Sequence, residues 1–417
     1  MLILVTGATG YIASRLIPRL LAMGHRVRAL ARDPRRLDGR AWSASTEIFS
    51  GDVTDSPSAL CAALKGTQAA YYLVHNMSSG RGYTDKETEG ARNFAAACAA
   101  AGVRHIIYLG GLADPQRQLA AHMRSRIETG NILRAGRVPV TEFRAGIIVG
   151  SGSISFEMIR FITELLPIIP GPRHLRNKSQ PIAVQNVIDY LLAALDHNEG
   201  HGRVFEIGGP DVNDYADLML RYARLRGLKR HLWLLPHIPV WLMAFGIGLV
   251  TPVPSSIAYA LVGGLSSDSV ILHEDARRVF LEVKLIGFDS AARDALTRLH
   301  PDRIERIWTA DERIRSLKHE GFFILHRKHA GRSIIPPPSD AAEYYPALQN
   351  KWQVEINDPT RVLLYRPRPF GEEWIERRIV GRDSISTYFF APRGIVGFLY
   401  WYLLLPFHIF TFRRPFA

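Results

Sequence analysis

The amino-terminal stretch Leu2-Ile3-Leu4-Val5-Thr6-Gly7-Ala8-Thr9-Gly10-Tyr11-Ile12-Ala13 decides the fold of this chain. Its first four residues form a continuous apolar run, which is typical of a strand covered on both faces of a parallel sheet. Gly7 permits a tight turn, and Gly10 lets backbone N–H groups approach a pyrophosphate at a helix N-terminus. Ala13 stands where a small residue allows close packing of helix on strand. The stretch therefore predicts a strand, a phosphate-binding loop and a helix.

Residues 1–150 repeat the pattern of a short apolar run followed by a helical stretch. The predicted strands are Leu2–Thr6, Arg26–Ala31, Glu47–Phe49, Ala69–Val74, His105–Leu109 and Val140–Phe143. The predicted helices are Ile12–Met23, Ser58–Leu64, Thr84–Ala101 and Leu119–Ala135. This alternation predicts an α/β fold with a doubly wound, mostly parallel sheet of the Rossmann type.

Composition and the positions of Pro and Gly residues divide the chain into three parts. We expect a nucleotide-binding domain at 1–150, a substrate lobe completing it at 151–316, and an α+β domain at 317–417. Within the lobe, residues 233–265 are strongly apolar but are interrupted by four prolines, so they do not form a simple spanning helix. In the last part, the pattern predicts an apolar helix at the end and, before it, strands at Gly321–Leu325, Trp352–Ile356, Val362–Tyr365, Trp374–Val380 and Ser384–Phe390.

Charge and cysteine content exclude several classes of protein. The 52 Lys and Arg residues outnumber the 39 Asp and Glu residues, which gives a formal net charge of +13. The basic excess is diffuse, so it suits an anionic cofactor or a negatively charged membrane surface, and we expect no nucleic-acid partner. Cys61 and Cys98 cannot form a disulfide framework, and no Cys/His run has the spacing of a metal site.

Two motifs carry a family resemblance. Val5-Thr6-Gly7-Ala8-Thr9-Gly10-Tyr11-Ile12 resembles the nucleotide motif of the short-chain dehydrogenase/reductase superfamily, with the atypical and extended members, including NmrA-like proteins, most similar. Gly51-Asp52-Val53 resembles the element that holds the adenine in that family. The resemblance implies a nicotinamide cofactor held by Gly7, Thr9, Gly10, Tyr11 and Ile12, with the adenine held by the Asp52 side chain and the Val53 N–H.

The end of the second strand bears on the choice of cofactor. An acidic side chain at this position binds the ribose diol of NAD, whereas an arginine accommodates the 2′-phosphate of NADP. Arg32 comes first here, before Asp33, and Arg35 and Arg36 follow. We therefore expect a preference for NADP(H), with NAD(H) as the alternative if Asp33 takes the strand tip.

The catalytic positions of the resembled family are altered in this chain. That family uses a Ser after the fifth strand and a Tyr-x-x-x-Lys pair on the next helix. Here Gly110-Gly111 follow the predicted strand His105–Leu109, and His122 and Arg126 stand one helical turn apart at the Tyr and Lys places. In one hypothesis His122 is a general acid or base and Arg126 holds ribose or phosphate. In the other hypothesis, the usual catalysis is lost, and His122 and Arg126 only border the cofactor.

The carboxyl-terminal part resembles an uncharacterised domain fused behind atypical reductases, which implies a helix-grip, lipid-binding-like architecture. Its segment 394–412 carries no formal charge. It could be a packed domain helix, an interfacial helix or a membrane span. Because the first strand begins at Leu2, no room remains for a signal peptide, and we expect a cytoplasmic protein, peripheral on the inner face of the membrane if 394–412 binds lipid.

Two functions from different classes fit these observations. The first is an NAD(P)H-dependent oxidoreductase acting on a hydrophobic carbonyl, enone or quinone, with His122 and Arg126 as its catalytic residues. The alternative is a non-catalytic NADP(H)-binding sensor or structural subunit, like NmrA-like regulators or the nucleotide-binding accessory subunit of respiratory complex I. The altered Ser, Tyr and Lys positions favour the alternative, and the apolar lobe favours the enzyme.

Overall fold

The computed structural model describes residues 1–37, 40–75, 83–113, 119–236, 238–251, 255–265, 267–301, 315–319, 322–329, 352–380 and 383–413. Its strands are β1 (Leu2–Val5), β2 (Arg26–Ala31), β3 (Glu47–Ser50), β4 (Ala69–Tyr72), β5 (His105–Gly111), β6 (Val140–Ala145), β7 (Ile148–Val149), β8 (Ile168–Pro172), β9 (Lys178–Ser179), β10 (Ile182–Ala183), β11 (Val204–Ile207), β12 (Asn213–Asp214), β13 (His231–Leu235), β14 (Arg315–His319), β15 (Phe322–His329), β16 (Gln353–Asp358), β17 (Arg361–Arg368), β18 (Gly371–Val380) and β19 (Asp383–Pro392). Its α-helices are α1 (Ala13–Ala22), α2 (Pro57–Leu64), α3 (Tyr83–Ala100), α4 (Ala121–Arg134), α5 (Ile154–Leu165), α6 (Val184–Ala193), α7 (Tyr215–Leu225), α8 (Val240–Val250), α9 (Ser255–Gly264), α10 (Asp275–Val279), α11 (Phe288–Thr297) and α12 (Gly394–Arg413).

A parallel sheet forms the core of the amino-terminal half. Over the described residues it has seven strands in the order β11-β6-β5-β4-β1-β2-β3. Alternate residues of β1 pack on opposite faces: Ile3 and Val5 join the cluster under α1 and α6, and Leu4 joins the cluster under α2 and α3. Both faces are therefore covered, and the predicted doubly wound α/β fold is confirmed.

The sheet differs from expectation at two places. β5 continues through Gly110 and Gly111, which the sequence analysis placed beyond the strand, because β6 pairs with both glycines. β11, at residues 204–207, lies within the part expected to form the lobe, yet it pairs with β6 and completes the central sheet. The chain between 151 and 316 therefore contributes to both the sheet and the lobe.

The lobe has its own apolar core, formed by residues of α5, α7, α8, α9 and α11. Two-stranded ribbons frame it: β7 pairs with β10, β8 with β13, and β9 with β12. Over its described residues, the apolar segment 233–265 forms the end of β13, α8 and α9, so the prediction that it is no single helix is confirmed. The lobe core reaches the carboxyl ends of the central strands through Ile147 and Val149.

The carboxyl-terminal part is an antiparallel sheet with one long helix. In the described ranges, its strands follow the order β14-β15-β19-β18-β17-β16, and α12 packs on it through Phe398 and Trp401. β14 spans the domain boundary expected between residues 316 and 317, where the sequence pattern predicts a helix. Gly321, where a strand was expected to begin, lies outside the described residues. None of the helices that could be searched over the described residues is both long and apolar enough to cross a membrane.

The carboxyl-terminal sheet is attached to α5. Phe161 of α5 is fully buried and lies edge-on to Phe323 and Phe398, with ring centroids 5.9 and 5.4 Å away. Beside it, the buried Glu164 carboxylate accepts hydrogen bonds from the Gly394 N–H (3.1 Å) and from Arg226 (2.6 Å). One helix thus joins the lobe to the carboxyl-terminal domain.

Candidate functional site

The glycine loop between β1 and α1 is held in a conformation that only glycine adopts without strain. Gly7 has φ +63°, and a Cβ added there would lie 2.7 Å from the Leu73 carbonyl oxygen. The Gly10 N–H donates to the Gly7 carbonyl over 2.7 Å. Thr6 ties the loop to β4, since its hydroxyl donates to the Tyr71 carbonyl and accepts from the Leu73 N–H, each over 3.0 Å. The sequence prediction for this loop is reproduced in its backbone geometry.

The start of α1 offers backbone donors to an anion. Ile12, the N-cap residue, supplies no side-chain hydrogen bond to the first turn. Ser14 does not cap the helix either, because its hydroxyl donates back to the Gly10 carbonyl over 2.8 Å. A helix N-terminus next to a close-approach glycine is the arrangement that holds a pyrophosphate. The loop therefore fits the phosphates of a dinucleotide, with Gly7, Thr9, Gly10, Tyr11 and Ile12 as the surrounding residues.

The tip of β2 is positively charged. The Arg32 side chain is 68% exposed, and its Nε lies 3.5 Å from an Asp52 carboxylate oxygen. Asp33 is engaged elsewhere, because Arg35 donates to its two oxygens over 2.9 and 3.1 Å. Burial and then the charge of Arg32 lower the pKa of Arg36. The structure thus leaves the Arg32 side chain largely exposed beside Asp52 and turns the Asp33 carboxylate toward Arg35.

The loop after β3 places Asp52 and Val53 beside this tip. An Asp52 carboxylate oxygen accepts from the Thr54 N–H (3.0 Å) and hydroxyl (3.1 Å), which fixes the turn. Val53 is buried against α3, so close that a Cβ on Gly90 would lie 2.8 Å from it. The expected roles of Asp52 and Val53 toward adenine stay predictions.

A cavity of about 910 Å³ begins at the glycine loop and ends inside the lobe. It passes the carboxyl ends of β4 and β5, then runs between α4, α5, α8 and α9. At the loop end it is bordered by Gly10 and Tyr11. Its lobe end is apolar, and the residues there include Met158, Ile162, Leu166, Met219, Leu242, Met243 and Ile247. One continuous space therefore joins the predicted cofactor site to an apolar compartment.

His122 and Arg126 line the middle of this cavity, on the face of α4 that meets the sheet. Both therefore lie where the sequence analysis expected catalytic groups. The glycine at the end of β5 makes room for them. A Cβ on Gly111 would lie 2.7 Å from Met123 Cε and 3.0 Å from Arg126 Cδ. A side chain at this position would therefore require Met123 and Arg126 of α4 to shift.

The histidines near Arg126 are neutral at pH 7. Burial, followed by the positive charge of Arg126, lowers the pKa of His122 to about 4. The same two causes, in the same order, lower the pKa of His75 to about 3. His75 Nε2 lies 3.1 Å from the Leu109 carbonyl oxygen, which can only accept, so Nε2 carries the proton. Arg126 is thus the cation of this part of the cavity, flanked by neutral imidazoles.

Tyr108, another titratable group near α4, does not supply a phenolate. Its hydroxyl donates to the Arg126 backbone carbonyl over 2.9 Å, and burial raises its pKa above the ordinary range. Glu128 points to solvent from the other face of α4. Neither residue takes part in the cavity.

Sequence reasoning missed several polar residues of the cavity, among them His75 and Asp268. A usable signal existed for His75, because polar residues at the carboxyl end of a parallel strand face the ligand crevice, and His75 follows β4 closely. Asp268 follows α9 in an irregular segment and had no such signal.

Comparison with known proteins identifies the first part of this chain. Residues 7–137 match the sequence family described as NAD(P)H-binding. This segment is therefore an NAD(P)H-binding domain, which confirms the predicted class of cofactor. The match covers only the amino-terminal third and leaves the lobe and the carboxyl-terminal sheet unassigned.

Three further proteins resemble this chain over a longer range. The (4-alkanoyl-5-oxo-2,5-dihydrofuran-3-yl)methyl phosphate reductase of Streptomyces griseus is 29% identical over 236 residues, 54% of this chain and 74% of that protein. Triphenylmethane reductase of Citrobacter sp. has a TM-score of 0.58 at 18% identity, over 71% of this chain and 100% of its own. The Escherichia coli NADPH-dependent quinone oxidoreductase complexed with NADPH has a TM-score of 0.57 at 18% identity, over 70% and 98%. The two structural likenesses show the Rossmann-type fold.

Proposed function

We propose that this protein is an NADPH-dependent reductase of a hydrophobic carbonyl compound, enone or quinone. One observation carries the proposal: a single cavity connects the glycine loop, the Arg126 cation and an apolar compartment inside the lobe. A cofactor-binding regulator needs only the first of these features. The three compared proteins are named as two reductases and a quinone oxidoreductase, which agrees with a reduction.

The residues at the loop end would hold the cofactor. Gly7, Gly10 and the first turn of α1 would bind its pyrophosphate, and Arg32 with Arg36 would bind a 2′-phosphate. The Asp33 carboxylate, held by Arg35, is poorly placed to accept from a ribose diol. These contacts support NADPH over NADH. When bound, the reduced nicotinamide supplies a hydride.

Arg126 and His122 would act on the oxygen of the substrate. Reduction places negative charge on that oxygen, and a cation inside an apolar cavity stabilises such charge more strongly than one in water. His122 is neutral, so it would donate a hydrogen bond to the oxygen rather than act as an imidazolium acid. The proton that finally reaches the oxygen comes from water, directly or through His122. The substrate has then gained one hydride from the cofactor and one proton from water.

Turnover by matched arginine variants tests this function. Purified full-length protein would be assayed for NADPH oxidation with an apolar quinone, an apolar enone and a small polar ketone. We expect Arg126→Ala to lower kcat/KM for the apolar acceptor roughly 100-fold. Arg124→Ala, on the exposed face of the same helix, should change it less than about twofold.

The readout separates the reductase from a non-catalytic protein. An enzyme loses turnover in Arg126→Ala and His122→Ala while the dissociation constant for NADPH changes little. Binding of NADPH without oxidation by any of the three acceptors would contradict the reductase.

A further inference from the structure

The lobe carries an outer surface of large aromatic side chains at the wall of the cavity. Trp233, Trp241, Phe245 and Tyr259 are each more than half exposed, at 60, 64, 62 and 55%. They lie on β13, α8 and α9, and α8 packs so closely on α9 that a Cβ on Gly248 would overlap the Ser255 side chain. Single exposed aromatic residues are ordinary, whereas four of them on three consecutive elements favour an interaction site. We call these four residues the aromatic surface.

The helix that carries half of this surface also forms the wall of the cavity. Met243 and Ile247 of α8 line the cavity, whereas Trp241 and Phe245 do not. Leu242 does both, since it lines the cavity and is 46% exposed. The interior is thus one helix thickness from the aromatic surface.

The charged residues of the two chain segments that carry β8, β13, α8 and α9 are all basic, and the Asp214 carboxylate pairs with Arg176 beside them. Segments 165–178 and 229–265 contain no Asp or Glu. β8 and β13 pair, with Lys229 just before the start of β13 and Arg173 just after the end of β8, so exposed basic residues stand at opposite ends of this ribbon. Basic residues at a surface attract anionic lipid, and Trp and Tyr favour the headgroup region of a bilayer.

We propose that the aromatic surface docks on an anionic phospholipid bilayer, so that the apolar substrate passes from the lipid into the cavity. The 11 residues of α8 span roughly 16 Å, about half the hydrocarbon thickness of a bilayer. The helix would therefore lie in the interface without crossing the membrane. Only the purpose of docking rests on the proposed function; the contact with lipid is independent of catalysis.

Two other arrangements compete with this one. α12 exposes Val396, Leu399 and Leu403, so its outer face is a second apolar surface on the same molecule. A second copy of the chain could also cover the aromatic surface. The uncharged segment 394–412 of α12 is itself flanked by Arg393 and by Arg413-Arg414, so the vesicle experiment includes α12 as the competing surface.

Vesicle sedimentation of the full-length protein, without substrate, tests the proposal. The probes are vesicles of phosphatidylglycerol and, separately, of phosphatidylcholine. The Trp241→Ser/Phe245→Ser double variant should partition into phosphatidylglycerol vesicles about tenfold less than the wild type. The matched control Leu399→Ser/Leu403→Ser on α12 should stay within about twofold. Lys229→Glu should weaken binding to phosphatidylglycerol roughly fivefold or more and leave binding to phosphatidylcholine unchanged.

Three results would overturn the proposal. These are no sedimentation with phosphatidylglycerol, loss of binding in the α12 control instead of the α8 variant, and a wild-type dimer that the α8 variant dissociates. The last result would assign the aromatic surface to a second copy. NADPH oxidation measured without vesicles reports separately on the proposed reductase, so failure of one proposal is distinguishable from failure of the other.

Discussion

The two ends of the cavity are built on different physical principles. At the loop end, backbone atoms define the site: a left-handed Gly7, the N–H groups of α1 and a hydroxyl that ties the loop to β4. At the lobe end, side chains of Met, Ile and Leu from α5, α7 and α8 define it by size and lack of polarity. The first end selects one ligand class through geometry, and the second admits many apolar shapes.

This difference shows which kinds of change each end tolerates. Backbone geometry allows almost no variation, because an added methyl group already collides with a carbonyl. An apolar wall of flexible side chains accepts changes of shape and loses affinity only when polarity or volume changes. The following predictions test this contrast, and the largest expected effect comes first.

Gly7→Ala should abolish most cofactor binding. The added Cβ would meet the Leu73 carbonyl oxygen at 2.7 Å, and the backbone has φ +63°. We expect the affinity for NADPH to fall about 100-fold, measured by fluorescence titration. Gly24→Ala is the matched control, since it has φ +80° but no atom within 4 Å. It should cost about 1 kcal/mol of stability and leave NADPH affinity unchanged. Equal losses of affinity would show that the loop contact is unimportant.

Met243→Asp should weaken binding of the apolar substrate without affecting binding of the cofactor. A charge in the cavity wall removes apolar contact, so KM for an apolar acceptor should rise roughly 20-fold. Affinity for NADPH, determined at the far end, should stay within about twofold. Leu281→Asp serves as the control, because Leu281 is 79% exposed and does not line the cavity. A rise in KM for both variants would contradict the assignment of this compartment to the substrate.

Arg32→Ser should narrow the preference for NADPH. Loss of a guanidinium from the strand tip should weaken NADPH binding about tenfold, or 1.4 kcal/mol, and leave NADH binding unchanged. Arg26→Ser, at the other end of β2, removes the same charge far from the site. It should leave the affinities for NADPH and NADH unchanged. Weaker binding of both cofactors, or of neither, would show that Arg32 does not contact a 2′-phosphate.

The pH dependence of stability tests the middle of the cavity and should give the smallest effect at neutral pH. The pKa of His122 is lowered to about 4 in the folded protein, against an ordinary value of 6.5. Between these values the unfolded chain binds more protons, so wild-type stability should fall as the pH drops from about 6.5 to about 4. His122→Gln should show a shallower decline in denaturant midpoint over that window and a constant difference from wild type above it. Parallel curves throughout would contradict a buried, neutral His122.

The sequence predicts the loop end better than the lobe end, for a physical reason. A left-handed turn or a buried parallel strand leaves a local signature, so Gly7, Gly10 and the limits of β2 were recognisable. Long-range pairing leaves none: β11 joins the central sheet and β14 joins the carboxyl-terminal sheet, although their own residues indicate neither partner. The cavity also depends on which faces of α5 and α8 meet, and the apolar composition of the lobe could not specify that.

The positions of His122 and Arg126 were predictable from the sequence, but the main cause of the lowered pKa of His122 was not. Their i, i+4 spacing placed both on one face of α4, and the structure puts that face on the cavity. Burial, which the sequence does not reveal, is the larger cause of the lowered pKa of His122, and the charge of Arg126 is the smaller one. His75, which lies on β4's carboxyl side, belongs to the same group and extends it beyond one helix.

The most direct test of the central claim is a single-turnover reaction without oxygen. The protein would be mixed with an equimolar amount of NADPH and then with an apolar quinone, while the nicotinamide absorbance is followed. If one cavity joins cofactor to apolar substrate, the absorbance is lost in proportion to the quinone added, and a small polar ketone leaves it unchanged. Stable NADPH in the presence of every acceptor, with the cofactor still bound, would contradict the account and leave a nucleotide-binding protein without a reductase activity.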